Sequence, residues 1–179
     1  MAETIDVNEL GRGVDPASLS HEELVSSLRA GLDAPEAAQT IDPSLFARLV
    51  KSTAKGQLEA VMDSDVRRTV LEAIFGRMSE FYSSAGASSK RQVVHWHITG
   101  AAGGGTDDFQ TVMQSGTCTV SSDLDEDPRT ELTMDGVQFL KVVTNNASPV
   151  TLFMTRKLKV AGDVGFATAL QKMFTIPSA

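Results

Sequence analysis

The hydrophobic repeat of this 179-residue chain changes once, across the segment SSAGASSKRQ at residues 83–92, and no other feature limits its fold as much. Upstream of that segment, apolar side chains recur every three or four positions, the spacing of one buried helix face. Val66, Val70, Leu71, Ile74, Phe75, Met78 and Phe81 form the widest such stripe, so a helix is expected over residues 64–82. Shorter stripes precede it. Ser20 and Glu23 make a capping box ahead of Leu24, Val25, Leu28 and Leu32. Asp42-Pro43 opens a second helix bearing Leu45, Phe46, Leu49 and Val50, and Leu58, Val61 and Met62 mark a third. Residues 1–14 hold two glycines and no sustained period, and are expected to form a disordered arm.

Downstream the period becomes two. In VVHWHIT, Val94, Trp96 and Ile98 point one way and Val93, His95, His97 and Thr99 the other, as in a strand with one face on a core. The Gly-rich GAAGGGTDD is a turn, and strands are expected over residues 109–115, 117–122 and, beyond an acidic DLDEDP loop, 130–134. A helix with Val137, Leu140 and Val143 follows Asp135-Gly136 and ends at Asn145-Asn146, residues that tolerate a left-handed cap. Ser148-Pro149 begins a short helical turn. The chain closes with a strand at 157–160, a reversal at Gly162, and a helix capped by Asp163 that carries Phe166, Ala167, Leu170, Met173 and Phe174. With few contacts after it, that last helix is expected to be loosely held. Helices, a four-strand meander, two helices, one strand and one helix define an α+β fold: a five-stranded, mostly antiparallel sheet with helices on one face.

Composition removes several function classes. A formal net charge of −7 disfavours nucleic acid as a partner and allows at most transient contact with anionic membranes. The single cysteine, Cys118, excludes an intrachain disulfide and fits a reducing compartment. No apolar run reaches the ~20 residues of a membrane span, and MAETIDVNEL is unlike a secretory signal, so a soluble cytoplasmic protein is expected.

Three stretches carry a resemblance to a known family: FMTRKLKVAGD at 153–163, the FATALQKMF that follows, and LTMDGVQFLKVV at 132–143. With the strands from Val93 on, they resemble the sterol carrier protein two domain, the non-specific lipid transfer protein fold. Arg156 stands where that family usually has Gly, and Asn145-Asn146 where a Gly is common. The resemblance implies five strands, helices over one side, and an apolar tunnel between the layers. It also implies binding of a sterol, fatty acid or fatty acyl-CoA, with no cofactor and no chemistry. Residues 63–179 form this unit on that reading, preceded by a helical extension at 15–62 that the resemblance leaves unexplained.

The expected ligand lining is Val70, Ile74, Met78, Trp96, Ile98, Phe109, Met113, Phe139, Phe153, Phe166, Leu170 and Phe174; the alternative is that these side chains only pack on one another. Arg156, Lys157 and Lys159 form a basic cluster suited to a lipid headgroup or CoA, or to guarding an edge strand. His95 and His97 share a strand face but have no third metal ligand nearby in sequence, so no metal is expected. A rival reading makes the protein an isomerase or cyclase of steroid or specialised metabolism, with His95, His97, Asp107 or Asp108 as acid or base. A third gives residues 15–62 a role in homodimerisation or in docking to an enzyme.

Overall fold

The computed structural model describes residues 6–33, 35–84 and 87–179. Its first part is helical: α1 (Val7–Arg12), α2 (His21–Leu32), α3 (Pro35–Thr40), α4 (Pro43–Ser52), α5 (Lys55–Met62), α6 (Arg67–Gly76) and α7 (Met78–Phe81). Then come β1 (Gln92–Ala101), β2 (Gly105–Gln114), β3 (Thr117–Ser121), β4 (Thr130–Asp135), α8 (Gly136–Val143), α9 (Pro149–Met154), β5 (Leu158–Gly162) and α10 (Val164–Met173).

The five strands lie in the order β3-β2-β1-β4-β5, with every pair antiparallel except β1 and β4. The four-strand meander expected from sequence is therefore three strands long. Tight turns, with Gly103 and Gly116 in the left-handed region, hold β1, β2 and β3 to hairpins. Residues 122–129 instead recross the outer sheet face and deliver β4 to the far side of β1. Gln110 anchors that crossing, donating to the Asp125 carboxylate at 2.6 Å and accepting from the Glu126 amide at 3.1 Å.

Two of the helical expectations change as well. The helix expected over 64–82 is broken at Arg77, whose amide turns inward to the carbonyls of Ile74 and Phe75, directly after the weak helix former Gly76. The arm expected over residues 1–14 falls partly outside the described residues, but from Val7 the chain is helical. Asp6 caps it by accepting from the Asn8 amide at 2.7 Å, and Val7 and Leu10 are buried. This helix is too short to display a period. It lies so close to α4 that a Cβ on Gly11 would meet the Leu45 carbonyl oxygen at 2.4 Å.

Two apolar clusters result. One joins the inner sheet face (Val94, Trp96, Ile98, Phe109, Met113, Leu132, Met134) to α6, α8, α9 and α10. The other joins α1, α2, α4 and α5 to α6 and α8 through Val66, Val70, Val137 and Leu140. Arg67 links the layers. Its buried guanidinium donates to the Ile98 carbonyl at 2.7 Å, to Thr99 at 3.0 Å, and to the Asp107 carboxylate at 2.8 Å.

The last helix is held at both ends. Gly162 has φ +82°, and an added Cβ there would meet the Arg129 carbonyl oxygen at 2.5 Å. Asp163 then accepts from the Phe166 amide at 2.8 Å and pairs with Arg129 at 2.7 Å. At the far end, the Ser83 amide donates to Met173 and the Thr175 amide to Phe81, both at 2.7 Å. The loosely held helix expected from sequence is thus pinned by α7, a contact between residues about ninety positions apart that no local pattern reveals.

Candidate functional site

Between the sheet and the helices lies a cavity of about 250 Å³. Its floor is Trp96 of β1, Leu132 and Met134 of β4, and Leu158 and Val160 of β5, the inward-facing residues of adjacent strands. Its roof combines Val70, Ile74, Met78 and Phe81 with Val164, Ala167 and Leu170 of α10 and Phe174 directly after it. One wall comes from the first helices: Leu28, Leu32, Ile41 and Phe46. The cavity reaches the surface beside Val150, Phe153 and Val164, each more than 40% exposed.

The lining is almost wholly apolar, and most of its polar groups are already engaged. Arg77 donates to the Ile41 carbonyl at 2.7 Å and pairs with Glu80 at 3.1 Å, which staples the segment after α3 onto α7. The Thr144 hydroxyl donates to Leu140 at 2.6 Å and that of Thr168 to Val164 at 3.0 Å, each an in-helix bond. Gln171 is the remaining polar side chain among these lining residues.

Of the expected lining, Val70, Ile74, Met78, Trp96, Phe153, Leu170 and Phe174 border the cavity. Ile98, Phe109, Met113, Phe139 and Phe166 are buried in the sheet-side cluster instead. The reason is aromatic packing. Phe75 of α6 stacks on Phe109 at 4.0 Å and on Phe139 at 5.0 Å between centroids, filling that half of the interlayer space. Phe166 lies under the Arg129 guanidinium, 4.3 Å from its ring centre. Sequence reasoning missed Leu28, Leu32, Ile41 and Phe46. Their amphipathic spacing marks them as buried but does not say against what.

The profile of the SCP-2 sterol transfer family matches residues 72–175, more than half of the chain, from within α6 through α10. The chain belongs to the SCP-2 sterol transfer family. No curated protein sequence matches it. Among solved structures, the inverting sec-alkylsulfatase Pisa1 from Pseudomonas sp. is similar over 96% of this chain and 33% of that enzyme, at 12% identity and a TM-score of 0.50. The chain therefore spans about a third of that enzyme's length. Sterol carrier protein 2 from Yarrowia lipolytica is similar at 20% identity over 90% of this chain and 92% of its own, with a TM-score of 0.41. Sterol carrier protein 2 from Aedes aegypti, solved in complex with palmitate, shares 17% identity over 58% of this chain and 93% of its own, with a TM-score of 0.43. These similarities concern fold.

Two departures from the family pattern have a structural reading. Arg156, where the family usually has Gly, keeps a left-handed backbone at φ +62°, and Asn145 does the same at +56°. Arg156, Lys157 and Lys159 are exposed and lie outside the cavity lining, on the turn between α9 and β5 and on that strand. Of the acid–base candidates, Asp107 faces α6 and pairs with Arg67 and Arg68, while His95, His97 and Asp108 meet on the outer sheet face. None of the four borders the cavity. Cys118 is buried, and burial pushes its thiol up to about 11, so the thiolate is scarce at neutral pH.

Proposed function

We propose that the cavity takes up the hydrophobic part of a lipid and shields it from water without changing it chemically. The observation that carries this reading is an apolar chamber of about 250 Å³ between sheet and helices in a chain of the sterol transfer family. It exceeds the ~150 Å³ apolar cavity that holds benzene and falls just below the ~300 Å³ where drug-sized ligand sites begin. That size favours a single flexible acyl chain over a rigid sterol nucleus. Each methylene buried contributes about 0.8 kcal/mol, so affinity comes from length and fit. On this reading the amide of Gln171, a half-buried lining residue, meets the polar end.

Access lies between α9 and the first turn of α10. Val150, Phe153 and Val164 border the opening, and Met154, 77% exposed, stands beside it together with Arg156 and Lys157. An apolar rim next to cations suits brief contact with an anionic lipid surface during loading. Residues 15–62 serve as a wall on this reading, because their buried apolar side chains are committed to the second cluster and to the cavity.

Val164→Asp tests it. The side chain is exposed, so the variant folds, yet it places a carboxylate in the opening. Displacement of a fluorescent fatty acid is expected to weaken at least tenfold, the effect of roughly 1.4 kcal/mol of desolvation. Native mass spectrometry is expected to find a lipid in the unmodified chain and less in the variant. Equal binding by both would overturn the assignment of the opening, and no binding by either would overturn the function.

A further inference from the structure

The sheet face turned away from the cavity carries a second constellation. Alternation along β1 puts His95 and His97 side by side there, with ring centroids 6.3 Å apart. The antiparallel register with β2 sets Gln110 opposite His95 and Asp108 opposite His97. The parallel register with β4 sets Glu131 opposite His95, and its carboxylate reaches His97 Nε2 at 3.0 Å. One ring nitrogen of each histidine and one Glu131 oxygen all lie within 4.8 Å of one another. We propose that His95, His97 and Glu131 form a binding site for a divalent transition-metal ion, with Zn²⁺ the best match to its donors, and that Asp108 orients His97.

The donor set and its spacing fit. Two imidazole nitrogens and a carboxylate oxygen, with a further position open to water, are a recurrent Zn²⁺ set. Bonds of ~2.1 Å at a tetrahedral angle hold donor atoms about 3.4 Å apart, so small rotations suffice from the distances present. The third donor comes from β4, more than thirty residues away, because β4 pairs parallel with β1.

The surroundings prepare the imidazoles. Asp108 Oδ1 lies 2.6 Å from His97 Nδ1 and can only accept when ionised, which places a proton on Nδ1 and leaves the Nε2 lone pair towards Glu131. Gln110 does the same for His95. Its amide group donates to Asp125 and its oxygen accepts from the Glu126 amide, so that oxygen also receives the Nε2 proton of His95 at 3.1 Å, leaving Nδ1 unprotonated. His95 is only 7% exposed, which fixes one ligand, while His97 and Glu131 are half-buried and open to an incoming ion. Without a metal, the Nε2 lone pair of His97 takes a proton instead, so proton and ion compete and binding weakens as pH falls.

The test is titration of the metal-free full-length chain with Zn²⁺ by calorimetry against a competing chelator, and with Co²⁺ by visible absorption. The expected result is one equivalent bound, with d–d bands of a four- or five-coordinate N/O site. Glu131→Gln is expected to weaken binding by about a hundredfold and Asp108→Asn by roughly ten- to a hundredfold, with His21→Ala as the unaffected control. Fatty-acid displacement should not change in Glu131→Gln, whose side chain is remote from the cavity. Absence of stoichiometric binding at micromolar ion, or a Glu131→Gln variant that binds like the parent, would overturn the proposal. His97→Asn is expected to weaken binding as well, and should it fail to fold, the half-buried Glu131 decides the matter alone.

Discussion

Asp107 and His97 stand on the paired strands β2 and β1, one register position apart, and their opposite orientations give the protein opposite responses to pH. Asp107 faces α6. Burial alone would raise its pKa, but Arg67 and Arg68 outweigh that and hold it below the usual carboxylate value. Its stabilisation is therefore complete above about pH 4, the unfolded value, and is lost as pH falls through the lower folded one. His97 faces outward. Burial lowers its pKa, and the bonds to Asp108 and Glu131 more than reverse this, leaving it raised. Its stabilisation is complete below about pH 6.5 and is lost as pH rises through the higher folded value. Chelated protein should accordingly show a stability maximum between the two, and His97→Gln should flatten the alkaline limb while leaving the acid limb in place. Urea unfolding across pH measures this, and an unchanged alkaline limb would contradict it. The alternation Val94, Trp96, Ile98 against His95, His97 made the outward orientation of His97 legible in the sequence, whereas Asp107 fell in the expected turn and owes its inward orientation to a β2 that begins at Gly105. The partners Glu131 and Gln110 were not legible, because strand register is a property of the assembled sheet.

Among the elements, the passage from β5 to α10 shows most clearly what local sequence specifies. Gly162, with φ +82° and the Arg129 carbonyl against its α-carbon, is required by both backbone and packing. Gly162→Ala is expected to cost about 3 kcal/mol, combining left-handed strain with an overpacked contact, and chemical denaturation would read it. A loss below about 1 kcal/mol would show that the turn relaxes. Strand and helix identities were readable here because caps and periods are local. The path of β4 was not: alternation tells which face Leu132 and Met134 occupy, but not which neighbour the strand takes. The same limit explains Phe109 and Phe139. Their inward direction was readable, whereas Phe75 occupying the space above them is a fact of helix placement.

Across the whole molecule, the first helices and the family unit share one interior. Val70 belongs to the second cluster while bordering the cavity, and Phe46 of α4 closes a wall of a chamber whose floor is β1, β4 and β5. The extension was readable as helices, and its place over the cavity was not, since nothing in a stripe of leucines names the surface it will meet. The central claim is that this chamber holds an acyl chain. Titration with saturated fatty acids of increasing length tests it directly, in the parent and in Ala167→Trp, which fills the roof. Affinity should climb roughly fourfold per added methylene until the chamber is full and then level off, and Ala167→Trp should move that plateau to shorter chains with an unchanged circular dichroism spectrum. Affinity independent of chain length, or identical in the two proteins, would contradict the account.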